Sequence, residues 1–203
     1  MSTTQPRALL AFDQSTAALP TLETVAWSAT RLPLTKEWVE PVAMTEIDLF
    51  ALLVDAKTGI SKSMISAWHY FQDRQVPRLL LVQGIEFSST DFDDIVMIGN
   101  RVLEKFATPF LVLHHQDGSP IGLIDIVTGH TRDYSGAEIK LGVADIELEN
   151  LVKDFRDEFL EEFAEIGESG FAAGIYPIAF PITRERKIGI LELNDLLATL
   201  PKL

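Results

Sequence analysis

The side chains best suited to chemistry gather between positions 114 and 133: His114, His115, Asp117, Asp125, His130 and Asp133. Imidazole and carboxylate are ligands for zinc, manganese or iron. Successive residues of a strand face opposite ways, so His114 and His115 cannot both join a site on one face. His130 comes from a Gly-flanked loop placed to reach the end of the same hairpin. One expectation is therefore a metal site drawn from His114, His115, Asp117 and His130. Neither HExxH nor HxH spacing accompanies it, and the competing reading is a solvated turn.

A second cluster, Arg184, Arg186 and Lys187, is the only dense basic stretch and is interrupted by Glu185. It suits a phosphate or carboxylate, or else a polar hairpin turn. His69, beside Trp68, reads as a helix-surface residue. Other chemistries lack their residues. There is no GxSxG for a nucleophile elbow. Asp55-Ala56-Lys57-Thr58-Gly59 has the wrong order for a phosphate loop and reads as a turn. The chain has no cysteine, which excludes thiolate zinc sites and cysteine nucleophiles.

These residues belong to 203 positions that are 47% hydrophobic, enough for one domain or two small packed ones. The formal charge of −13 argues against nucleic acid or an anionic membrane as partner. No stretch approaches the roughly 20 apolar residues of a membrane span. Residues 1–12 are too weakly basic and apolar for a signal peptide. With no cysteine to pair, the expected location is cytoplasmic, or within an intracellularly assembled particle.

Along the chain, residues 1–20 read as an arm or edge strand. Residues 24–34 alternate as a strand broken by Pro33, and 38–43 are extended. Ile47, Phe50 and Val54 fit a short helix closed near Gly59, or a strand. Ser61 opens a helix through Met64, Ile65, Trp68 and Phe71, and Leu79–Val82 is a buried strand. Ser89 and Thr90 can cap a helix carrying Phe92, Ile95, Val96, Val102, Leu103 and Phe106, which Pro109 ends. A second long helix sets Leu148, Leu151, Val152, Phe155, Phe159, Phe163 and Ile166 against an acidic face. Its Phe-rich side reads as core, and as a dimer interface if it is exposed. Between the two helices Phe110–Leu113, Asp117-Gly118 and Ile121–Val127 form a hairpin. Ile175–Ile182, the Arg184–Lys187 turn and Ile188–Leu191 form another, followed by a short helix over 196–200.

The order helix, proline, strand, turn, Gly-aliphatic strand thus occurs twice, through Pro109 and Gly122 and through Pro177 and Gly189. The expected fold is α/β (α+β). Two β-α-β-β units, 78–136 and 137–203, pack as a pseudo-symmetric pair beside an N-terminal part, 1–77, of extended strands and two short helices.

Thr108-Pro109-Phe110-Leu111-Val112-Leu113 with Asp117-Gly118-Ser119-Pro120-Ile121-Gly122-Leu123-Ile124 resembles the centre of a CBS (cystathionine β-synthase) domain. So does Tyr176-Pro177-Ile178-Ala179-Phe180 with Lys187-Ile188-Gly189-Ile190-Leu191 and Asp195-Leu196-Leu197. The resemblance implies paired domains with an adenine nucleotide such as AMP or ATP in the cleft between them. Asp195 stands at the family's aspartate position, which with the Thr/Ser position holds ribose and phosphate, and the implied site uses Asp195 with Arg184, Arg186 and Lys187. Glu192, and in the first copy Asp125, occupy the family's Thr/Ser position, and Thr128 stands at the first copy's aspartate position.

Three functions follow. The first is a non-catalytic structural or interaction protein that assembles with itself or with a larger bacterial or viral complex. The second is a CBS-like regulatory module binding an adenine nucleotide. The third is a metal-dependent enzyme using the His114/His130 region.

Overall fold

The computed structural model describes residues 7–13, 28–36, 38, 47–163 and 166–199. In chain order the elements are β1 (Arg7–Asp13), β2 (Ser28–Leu34), β3 (Leu49–Asp55), α1 (Lys62–Gln72), β4 (Arg78–Gln83), α2 (Phe92–Val102), β5 (Phe110–His114), β6 (Pro120–Asp125), β7 (His130–Asp133), β8 (Lys140–Val143), α3 (Ile146–Phe163), α4 (Gly167–Ala172), β9 (Ile178–Ile182) and α5 (Ile190–Thr199).

Apolar runs unbroken by polar residues make β1, β3 and β4. They form a parallel sheet covered on both faces, in the order β2-β1-β3-β4-β9. Alternation along each strand divides the core in two. Leu9, Phe50, Leu52, Leu80 and Val82 face Met64, Trp68 and Phe71 of α1 and Phe92 and Ile95 of α2. Leu10, Leu49, Leu53, Leu79, Leu81 and Phe180 face Phe171 of α4 and Leu193 and Leu197 of α5. Among the described residues β2 pairs with β1 alone, and that edge position tolerates Pro33 within the strand.

A second, antiparallel sheet, β5-β6-β7-β8, is inserted between α2 and α3. The expected hairpin forms in the register Leu111↔Ile124 and Val112↔Leu123. One face of β6 packs Leu123 on Tyr134 and Ile188. The other packs Ile124 on Val152 of α3, with Ile126 beyond the strand end. The chain is therefore a mixed α/β protein. Among the described residues no helix is long and apolar enough to cross a membrane.

Several expectations change. Residues 7–13 are no arm or sheet edge but an interior strand with partners on both sides. Residues 49–55 are a strand, because every residue from Leu49 to Val54 is buried between two layers and no one-sided helix could bury all six. Asp91, not Ser89 or Thr90, caps α2, its carboxylate accepting the Asp94 N–H at 2.9 Å. The helix ends at Val102, although Leu103 and Phe106 remain in the core. The expected extended piece at 38–43 lies outside the described residues apart from Trp38.

The two β-α-β-β units do not form. β4 and β9, expected in different units, are neighbours in one sheet, so 1–77, 78–136 and 137–203 all contribute to a shared architecture. The second hairpin is absent because the chain after β9 closes on itself. Thr183 N–H donates to the Ile188 carbonyl, and Ile188 N–H donates to the Thr183 hydroxyl, both at 3.1 Å. Gly189 then turns at φ +84° into α5, where a Cβ would lie 1.8 Å from the Pro181 carbonyl oxygen. Gly122, its counterpart in the repeat, does different work. It lets β7 approach β6, and a Cβ there would lie 2.4 Å from the Arg132 carbonyl oxygen.

Candidate functional site

Between the two sheets lies a half-open cavity of about 570 Å³. Its size falls in the range of small-molecule sites. Phe110, Ile178 and Phe180 form the floor, and Phe159 and Phe163 of α3 form a wall beside Tyr176. Its polar end draws Asp125, His130 and Arg132 from the antiparallel sheet, with Asp125 directly across the strands from Phe110, and Glu192 and Asp195 from α5.

Local sequence builds the polar end. Arg132 is two residues before Tyr134, and that spacing puts both on one face of an extended chain. Glu192 and Asp195, three apart, share a face of α5. The Glu192 side chain is wholly buried. The Tyr134 hydroxyl donates to its carboxylate, 2.8 and 2.9 Å from the two oxygens. Arg132 lies between the two acids, Nη1 at 3.4 Å from Glu192 and Nη2 donating to Asp195 at 3.0 Å. Burial pushes the Tyr134 phenol well above its ordinary value, and the Glu192 charge adds to the shift. Tyr134 therefore stays protonated as a donor. Against the desolvation of burial, the hydrogen bond to Asp195 and the Glu192 charge hold Arg132 above its ordinary value. Its Nη1 is out of water and, among the described residues, has the Glu192 charge nearby but no well-formed hydrogen bond. Asp125 caps the turn after β6, Oδ1 accepting the N–H groups of Val127 and Thr128 at 2.9 and 3.1 Å.

The expected metal set does not converge. His115 and Asp117 are exposed at the β5–β6 turn, Nδ1 to Oδ1 3.6 Å, and His114 is exposed at the end of β5. His130 opens β7 at the opposite end of β6, whose six residues span roughly 17 Å at 3.4 Å per step. Among the described residues no three histidine or acidic side chains come together to hold an ion.

The expected nucleotide set is also dispersed. Of its four residues only Asp195 lines the cavity. Arg186 and Lys187 border a separate hollow with Tyr134 and Ser135. Arg184 sits past the end of β9, its N–H donating to Glu86 at 2.8 Å and its Nη2 3.5 Å from Asp55. There, at the carboxyl ends of the parallel strands where doubly wound sheets hold ligands, Gln83 is fully buried with its Nε2 3.5 Å from Asp55. Gln83 Oε1, Glu86 Oε2 and Arg184 Nε are buried without a hydrogen-bond partner among the described residues.

Arg132 and Tyr134 drew no attention in the sequence, and Glu192 entered only as the occupant of a family position. The usable signal was the acidic pair Glu192 and Asp195 in the otherwise largely apolar α5, an expensive arrangement unless a cation faces it.

No protein-family model matches this sequence. The fold is similar to that of a crystal structure from Thermus thermophilus, with a TM-score of 0.64 and 24% identity. The match covers 76% of this chain and 27% of that one, so this chain spans only about a quarter of that protein's length.

Proposed function

We propose that this chain is a non-catalytic binding module that holds a small amphipathic molecule between its two sheets. One observation carries the reading: an aromatic cavity is lined by Arg132, Glu192 and Asp195, with the wholly buried Glu192 held from behind by Tyr134. A desolvated ion costs several kcal/mol, and apolar residues of similar volume fill a core at lower cost. A charged cluster beside unfilled apolar space is better suited to recognition than to packing. Adenine nucleotides, implied by the CBS resemblance, are a poorer match, since three carboxylates and one guanidinium line the polar end. A thermal-shift screen with small amphiphiles tests the reading. A ligand at 100 times its Kd adds about 2.7 kcal/mol, and Phe163→Trp, which narrows the cavity, should reduce that gain. Shifts unchanged in the narrowed variant count against the cavity.

A second reading, a protein that assembles with itself or a larger complex, is favoured by a different surface. Among the described residues β8 is an unpaired edge of the antiparallel sheet, with Leu141 and Val143 77% and 71% exposed and Ile146 of α3 75% exposed nearby in sequence. Open edges and apolar patches of this kind are places where chains pair. Leu151 and Phe155 of α3, expected in the core, are exposed as well, while Val152 is buried and Phe159 and Phe163 are partly buried. Sedimentation across a concentration series tests this reading, and a monomer at every concentration removes self-assembly.

A further inference from the structure

The charges at the polar end of the cavity select its occupant. Asp125, Glu192 and Asp195 supply three carboxylates, Arg132 supplies one guanidinium, and His130 in either protonation state leaves the excess negative. Glu192 is already engaged by Tyr134 and Arg132. The carboxylates left for a ligand are Asp195, 58% exposed with only Oδ2 bonded to Arg132, and Asp125, whose Oδ1 alone serves the turn. A second anion here would meet like charge in a site partly shielded from water, where repulsion is far stronger than in bulk. A cation meets attraction.

We infer that the cavity takes an organic cation: an ammonium or amidinium group on an apolar body of aromatic size. The cationic head meets Asp195 and Asp125, and the body lies on Phe110, Phe159 and Phe163. The assignment rests on the cavity being a binding site, and the test separates the two claims.

Isothermal titration of the full chain with three indoles that share one body provides that test: tryptamine (cation), tryptophol (neutral) and indole-3-propionate (anion). Tryptamine is expected to bind at least tenfold more tightly than tryptophol, with the propionate weakest. Asp195→Asn should lose the tryptamine advantage over tryptophol, whatever it does to the affinity the three indoles share. Equal or tighter binding of tryptophol or the propionate overturns the cation assignment and leaves the cavity standing. An undiminished tryptamine advantage in Asp195→Asn overturns the placement of the head group. Failure of all three to bind at millimolar concentration overturns both the cation and the cavity.

Discussion

The Tyr134 hydroxyl and the Glu192 carboxylate, 58 residues apart in sequence, lie 2.8 and 2.9 Å from each other out of contact with water. The pair ties the inserted sheet to α5. It also sustains a buried charge that no apolar neighbour could stabilise. Tyr134→Phe leaves Glu192 with Arg132 alone and is expected to lower unfolding stability by about 1–3 kcal/mol. Urea denaturation measures this, and an unchanged midpoint would show that the hydroxyl contributes nothing.

The same pair makes stability fall in alkali. Burial first, and the Glu192 charge second, raise the Tyr134 phenol above its ordinary value near 10. A group whose folded value is raised contributes stability that is complete below its unfolded value. That contribution disappears as pH climbs from about 10 through the folded value. Above pH 10 the wild type should lose stability more steeply than Tyr134→Phe, and parallel curves would refute the linkage.

At the amino end of β4, Arg78 is 2% exposed and makes a two-point pair with Glu104 at 2.7 and 3.1 Å. It also donates to the carbonyls of Val76 and Gly174, and Trp68 Nε1 donates to the same Glu104. Glu104→Ala strands a buried guanidinium and is expected to cost about 3–5 kcal/mol. The double variant Arg78→Met/Glu104→Leu should recover much of that loss. A double variant no better than the single one would place the cost in packing and not in the unpaired charge.

Gly189→Ala and Gly118→Ala form a matched comparison. Both glycines have φ above +80°, but a Cβ at 118 meets nothing within 4 Å, while one at 189 strikes the Pro181 carbonyl. Backbone strain alone is of order 1–3 kcal/mol, so Gly189→Ala should be the more damaging by a wide margin in thermal unfolding. Equal effects would mean that the turn into α5 shifts easily.

Leu141→Glu with Val143→Lys places charge on the exposed edge of β8. At exposed positions the stability change should stay within about 0.5 kcal/mol. Any concentration-dependent association should weaken, and association that survives the change must use another face.

Much of the secondary structure was legible because each element carries its own period or punctuation. Leu79–Val82 reads as a buried strand, Ser61 as a cap and Asp117-Gly118 as a hairpin turn, and each forms. The cavity was legible only in fragments: Asp125, Thr128, His130 and Asp195 were noticed one by one, and Arg132 and Tyr134 not at all.

By itself, the amino-acid sequence determined an α/β chain without cysteine chemistry, its main helices and the first hairpin. These depend on side-chain periodicity and backbone preferences within a few residues of one another. Only the tertiary structure decided that β4 and β9 are neighbours, that Gly122 and Gly189 serve unlike purposes, and that Tyr134 meets Glu192. The β4–β9 pairing joins residues 99 apart, Leu79 and Ile178, and the Tyr134–Glu192 contact joins residues 58 apart. No local pattern encodes such contacts, because a parallel strand buried on both faces is equally apolar wherever it is placed in the sheet.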